Sequence, residues 1–161
     1  MSCKGMVLKF FAAGVFLVGV AIAAGVSGAT FYFWPTFLAD EAVVVSPKTI
    51  EALASLRAER KFLVDQSSFY FGAPNEAIRS SAQRSVDDLL DVLLVELPKH
   101  PQRSMVLAKF KDAMASFSLA ESEEKDQFLV YLQRIMKVLG MPGSGELLNV
   151  WRYGFPYGWF I

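Results

Sequence analysis

The sequence predicts an all-α protein, with an N-terminal transmembrane helix followed by a small four- to five-helix bundle-like domain. Three observations carry that expectation. From Phe10 to Pro35 the chain has no charged residue, and a helix needs about 20 apolar residues to cross a hydrocarbon core of about 30 Å. Between Ser46 and Leu139 apolar residues recur at helical spacing, punctuated by capping and turn residues. Strand signals are thin, because Val43-Val44-Val45 is the one β-branched run of note and is too short for a sheet.

The apolar run is the first element. Lys4, Lys9 and the amino terminus precede it, whereas the first charges after it are Asp40 and Glu41. Positive charge marks the cytoplasmic side of a span. The expectation is a single pass through the lipid bilayer over residues 10–34 in the cell inner membrane, with the N-terminus cytoplasmic and the C-terminal domain periplasmic. Phe31, Tyr32, Phe33 and Trp34 suit the far headgroup layer, and Pro35 ends the helix. Gly19 and Ala23, one turn apart, permit close helix contact within the membrane. The alternative is secretion after signal cleavage, since Ala21-Ile22-Ala23 and Ser27-Gly28-Ala29 fit signal-peptidase preference. The apolar run outlasts the usual h-region of about 7–15 residues, which favours a retained anchor. Cys3 lacks the preceding residues of a lipoprotein site.

Residues 1–35 are thus read as a membrane anchor or uncleaved signal segment, 36–45 as a linker, and 46–161 as the exported helical domain. From Asp40 onward there are 16 acidic and 14 basic residues. That balance argues against nucleic acid as a partner, which needs a basic footprint on the protein. The single cysteine is Cys3, so packing alone must hold the domain.

Ser46-Pro47 opens the first helix of that domain, because Ser caps free amides and Pro suits the first helical position. Ile50, Leu53, Leu56, Phe62 and Leu63 carry the apolar spacing on to about Val64. Gln66 to Pro74, which holds Phe69, Tyr70, Phe71 and Gly72, reads as an aromatic connector. Asn75 caps a second helix with the stripe Ile78, Ala82, Val86, Leu89, Leu90, Leu93, Leu94 and Leu97, and Pro98 stops it. A third helix starts near Pro101 or Gln102 and carries Met105, Leu107, Phe110, Met114 and Phe117. Ser118-Leu119-Ala120-Glu121 matches a capping box and opens a fourth, which closes at Gly140. After the turn from Met141 to Gly145, Glu146 to Trp151 add one or two helical turns.

Chemistry-bearing patterns are scarce. His100 is the lone histidine and sits between prolines in a connector; no GxSxG, HExxH, phosphate-binding glycine loop or CxxC accompanies it. No catalytic, metal-ligating or cofactor-binding residue is assigned. Asp87, Asp88 and Asp91 read as a solvated helix face rather than an acid/base or cation site. Glu121, Glu123, Glu124 and Asp126 read as charges favoured at a helix N-terminus, and Arg57, Arg60 and Lys61 as their C-terminal counterparts. The basic trio has a second reading, contact with anionic headgroups or an acidic partner.

Aromatic residues offer the best surface candidates. Trp151, Tyr153, Phe155, Tyr157, Trp159 and Phe160 fall within the last eleven residues. All six exposed together would exceed the apolar patch a soluble surface tolerates. Trp151, Tyr153 and Phe155 are expected to pack on the bundle. Tyr157, Trp159 and Phe160 are then left for a partner, with Phe69, Tyr70 and Phe71 next in order.

The stretch Leu147-Leu148-Asn149-Val150-Trp151-Arg152-Tyr153-Gly154-Phe155, with Arg57-Ala58-Glu59-Arg60-Lys61-Phe62 upstream, resembles a small uncharacterised bacterial all-helical family of unknown function. The resemblance covers residues from about 50 to 156. It implies a helical fold and transfers no catalytic residue. The functional expectation is a membrane-anchored, non-enzymatic domain that binds another protein, a toxin-neutralising immunity protein being one concrete form. An accessory or structural subunit of an envelope complex is the alternative, and a membrane-associated enzyme the third class.

Overall fold

A computed structural model describes residues 12–26, 28, 40–117 and 122–154. Residues 12–26 (α1) are helical and exposed throughout. At about 1.5 Å per residue that stretch is roughly 22 Å long, short of the hydrocarbon thickness. Among the described residues no helix is long and apolar enough to cross a membrane. The ends of the expected span, residues 10–11 and 29–34, lie outside the described residues.

Five further helices follow, α2 (Pro47–Ala58), α3 (Glu76–Glu96), α4 (Arg103–Ser116), α5 (Ser122–Val138) and α6 (Leu147–Tyr153). The all-α expectation holds, since β pairing among the described residues is confined to two isolated bridges, Ala42 with Gln102 and Asp65 with Tyr70. α3 is the hub of the bundle. It packs on α2, α4 and α5, while α2 also meets α5 and α6 lies on α5.

The caps act where the sequence places them. Ser46 Oγ accepts the Thr49 amide at 3.1 Å, and Thr49 Oγ1 accepts the Ser46 amide in return. Asn75 Oδ1 accepts the Ile78 amide at 2.9 Å. Gly140 takes φ +66°, and the Met141 amide reaches back to the Met136 carbonyl at 2.9 Å. That bond closes the helix end in the Schellman manner, for which a residue without Cβ is preferred. The Ser118–Glu121 capping box lies outside the described residues.

Part of the expected linker is docked. Val43 is buried and its amide donates to Pro101 O, the Arg103 amide donates to Glu41 O, and the Ser104 amide donates to Asp40 Oδ1 at 2.9 Å. Gln102 makes no side-chain cap, so a carboxylate from far up the chain completes the start of α4.

At the centre the core is a ladder of rings. Trp151 lies 6.0 Å from Phe128, Phe128 stacks on Phe117 at 4.3 Å, and Phe117 on Phe62 at 6.1 Å. Phe62 in turn meets Tyr70 edge-on at 6.3 Å and Tyr131 at 5.2 Å. Trp151 thus joins the core as expected, whereas Tyr153 is exposed and Phe155 lies outside the described residues.

The largest departure from the sequence reading is the end of α2. The apolar spacing predicts helix to Val64, but α2 stops at Ala58 because Glu59 turns extended and Phe62 adopts φ +58°. Phe62 then enters the core with no exposed surface, while Leu63 and Val64 point outward at 44% and 66% exposure. Tertiary contact overrides local period here, and the Phe62 amide that helix would have used donates instead to Tyr131 Oη at 3.1 Å.

Candidate functional site

Residues 59–74, between α2 and α3, fold back on themselves. Asp65 and Tyr70 exchange both backbone hydrogen bonds, at 2.8 and 3.0 Å, and the Ala73 amide donates to Phe62 O at 3.2 Å. Gly72 sits at φ +90° against the opposite limb, where an added Cβ would come within 3.3 Å of the Val64 nitrogen. Only glycine fits that approach comfortably. The result is a hairpin-shaped strap with Gln66 to Phe69 at its tip.

Among the described residues four polar side chains are buried, Lys61, Asp87, Glu124 and Gln127. All four belong to the strap or hold it. Lys61 has no exposed surface, and its ammonium donates to Asp87 Oδ1 at 2.7 Å and to the carbonyls of Arg57 and Glu59 at 3.0 Å each. Its three hydrogens are thereby used. Asp87 Oδ2 accepts from Gln83 at 3.1 Å and pairs with Arg57 at 3.1 Å, and Arg57 also forms a two-pronged contact with Asp91. Proximity to those acids raises the Arg57 guanidinium above its ordinary pKa, the Asp91 hydrogen bond contributing most. The Lys61 amide and carbonyl bond Gln83 and Arg79, which ties the strap base to α3.

These contacts correct one sequence reading and refine another. Asp87 is not part of a solvated face, although Asp88 and Asp91 are exposed. Lys61 does satisfy carbonyls at the end of α2, but from inside the protein.

The far limb is tied to α5. Tyr70 is buried and its hydroxyl donates to Glu124 Oε1 at 3.2 Å. Burial and the adjacent Glu124 push the phenol above its usual range, so it remains a donor. Glu124 therefore faces the core, not the solvent with Glu123. Ser68 Oγ lies 3.0 Å from both Asp65 Oδ2 and Gln127 Oε1. Asp65 also accepts the Ser67 hydroxyl at 2.7 Å and amide at 3.0 Å. These donors hold its carboxyl down at about 2, the Ser67 hydroxyl contributing most.

On this strap the predicted trio divides. Tyr70 turns inward, whereas Phe69 and Phe71 are 87% and 85% exposed. Phe69 does so at φ +56°, a conformation costly for a bulky residue. Leu63 and Val64 on the opposite limb extend the apolar surface, which sequence reasoning missed because it placed them in a helix. Beside the rings lies a cleft of about 180 Å³, lined by Ser68, Phe69, Phe71, Glu123, Gln127 and Val130 among others. Asp126 also lines it and is paired with Arg152 of α6, whose guanidinium is raised by that contact.

A wider groove of about 430 Å³ runs between α3 and α4 past Arg84, Asp88, Lys109 and Asp112. Its charges alternate in sign and it carries no aromatic anchor. His100 is exposed, and among the described residues no group of His, Cys, Asp and Glu is placed to hold a metal ion. Tyr157, Trp159 and Phe160 lie outside the described residues.

No curated protein and no solved structure matches the chain significantly. Residues 44–156 match the sequence model of a family described as a domain of unknown function (DUF4844), and the chain belongs to that family.

Proposed function

We propose that this family member is a non-enzymatic protein-binding domain, tethered to a membrane by its N-terminal segment, that presents the Phe69–Phe71 strap to its partner. One observation carries the reading. Every buried polar side chain among the described residues serves to hold a single connector, whose tip then displays two phenylalanines with almost no contact of their own. Rigid placement of exposed aromatic anchors lowers the entropy cost of association.

The tether rests on the uncharged run from Phe10 to Pro35 and on α1, where Phe16, Leu17 and Ile22 are each more than 60% exposed. An apolar helix whose residues are exposed along its described length suits lipid. A cytoplasmic N-terminus and a periplasmic domain follow from Lys4 and Lys9. Small size and the scarcity of chemistry-bearing motifs suit a toxin-neutralising immunity protein, which is the most specific form of the proposal.

The test is comparative capture of membrane partners by the full chain, by Phe69→Asn/Phe71→Ser, and by Val95→Ser, a surface change on α3. A partner retained by the first and third and lost by the second supports the strap. Equal retention by all three contradicts it. Recovery of the unprocessed chain in the soluble wash after alkaline carbonate would contradict the tether.

A further inference from the structure

The strap and the tether sit at opposite ends of the bundle. The chain enters the domain where Asp40 completes the start of α4 and the Val43 amide meets Pro101 O, just before α2 opens at Ser46. α3 ends in that corner, and Arg103 holds the α5–α6 turn there through Gly143 O at 3.1 Å. Helices α2 to α5 each run between this end and the other. The end of α2 and the start of α3 flank the strap, Phe117 after α4 stacks on Phe62, and Glu124 in the first turn of α5 holds Tyr70. At about 1.5 Å per residue, the 21 residues of α3 separate the two ends by about 31 Å.

α6 finishes at the strap end too. Arg152, in its last turn, donates to Asp126 Oδ2 at 2.9 Å, and Asp126 lines the cleft beside Phe69 and Phe71. Tyr153 follows, 51% exposed, with the Arg152 guanidinium 5.4 Å from its ring centre. The Arg152–Asp126 pair thus sets a third outward aromatic beside the two on the strap.

Interface size gives this juxtaposition weight. A stable protein interface takes about 800 Å² from each partner, whereas two phenylalanines bury about 300–500 Å² between them. A partner seated on Phe69 and Phe71 therefore covers their neighbours as well, and Tyr153, Leu63 and Val64 are exposed apolar side chains at the same end. Lipid is the rival ligand for exposed rings. The Asp65 carboxylate at the tip, kept ionised by the Ser67 hydroxyl and amide, opposes insertion into hydrocarbon. The length of the bundle opposes it again, since the tip points away from the end that the tether enters.

Resting on the tethered, protein-binding reading above, we infer that the bundle end remote from the tether is one recognition surface, on which a single extramembrane protein domain covers Phe69, Phe71 and Tyr153 together. The helices act as a spacer that carries this surface off the bilayer.

Two measurements on the full chain test this. In the cells that produce the protein, a photo-crosslinking residue is placed in turn at Phe71, at Tyr153 and at His100, which is exposed at the tether end. Adducts of one common protein mass from 71 and 153, and none of that mass from 100, are expected. In nanodiscs whose lipid headgroups carry a nitroxide, the amides of Lys99 and His100 should lose more signal than those of Tyr70 and Tyr153. A protein adduct from 71 with no match from 153, a matching adduct from 100, or nitroxide loss at Tyr70 equal to that at His100 overturns the inference. If any of these occurs while Phe69→Asn/Phe71→Ser still loses its partner, the remote-end assignment falls and the protein-binding reading stands. An adduct from 153 with none from 71, in a chain whose double variant keeps its partner, overturns both.

Discussion

Phe62 and Phe69 stand on one connector with nearly the same backbone angle, φ +58° and +56°, and meet opposite fates. Phe62 is wholly buried among Phe117, Tyr70 and Tyr131, and its amide is bonded to Tyr131 Oη. Packing offsets the left-handed backbone many times over. Phe69 is 87% exposed, so little packing among the described residues offsets the same conformation. Strain compensated by a core is explained by folding, whereas strain with no compensating contact among the described residues points to an interaction beyond them. The two residues separate the structural from the functional end of the strap.

Breaking the structural end should have the largest effect. Phe62→Ala removes the ring that joins both limbs of the core ladder and should cost about 3–5 kcal/mol in urea unfolding of the full chain in detergent. A loss under about 1 kcal/mol would place the strap outside the cooperative core. Next, Lys61→Met leaves Asp87 buried with less compensation and should cost about 3 kcal/mol. Adding Asp87→Leu should recover most of that loss, because the second change removes the stranded group. Failure of the double variant to recover would mean that the charges also specify the path of the chain.

Effects shrink toward the tip. Tyr70→Phe withdraws a buried donor from Glu124 and should cost about 1–3 kcal/mol. Phe69→Asn should be neutral or stabilise by up to about 1 kcal/mol, since Asn accepts the left-handed conformation. Partner capture should be lost all the same, and that split between stability and binding sharpens the comparison most. The smallest signal is acid titration of the tip. The folded Asp65 carboxyl lies near 2 against 3.8 for the ordinary group, so its contribution is present above about pH 4 and is lost as the pH falls through about 2. The Ser67 amide resonance should follow that low titration, and in Asp65→Asn it should not move.

Most helices were legible because their signals are local. Ser46 with Pro47, Asn75, and Gly140 each announce a helix end through their own conformational chemistry, and the α3 stripe from Ala82 to Leu93 reads as one buried face. The end of α2 was not legible. No proline or glycine marks it, Phe62 and Leu63 continue the helical period, and the competing attraction is the hydroxyl of Tyr131, far along the chain. Asp87 was misread for the same reason, since it stands among acids that are solvated and differs from them only by a distant partner, Lys61, whereas Glu124 does lie in the first turn of α5 as expected and its burial against Tyr70 is what the sequence did not show. Of the site, the sequence singled out the Phe69-Tyr70-Phe71 trio from aromatic content alone. Which rings turn outward depends on the Asp65–Tyr70 pairing and on Gly72, and neither has a sequence signature as short as a motif.

The central claim is that the tip of the strap, and not the bundle surface at large, meets the partner. A photo-crosslinking residue placed in turn at Phe69, Phe71, Val95 and Tyr153 of the full chain, in the cells that produce it, tests that claim most directly. Adducts of one common mass from positions 69 and 71 and none from 95 are predicted. Adducts of equal yield from position 95, or none from 69 and 71 while another position gives one, would contradict it.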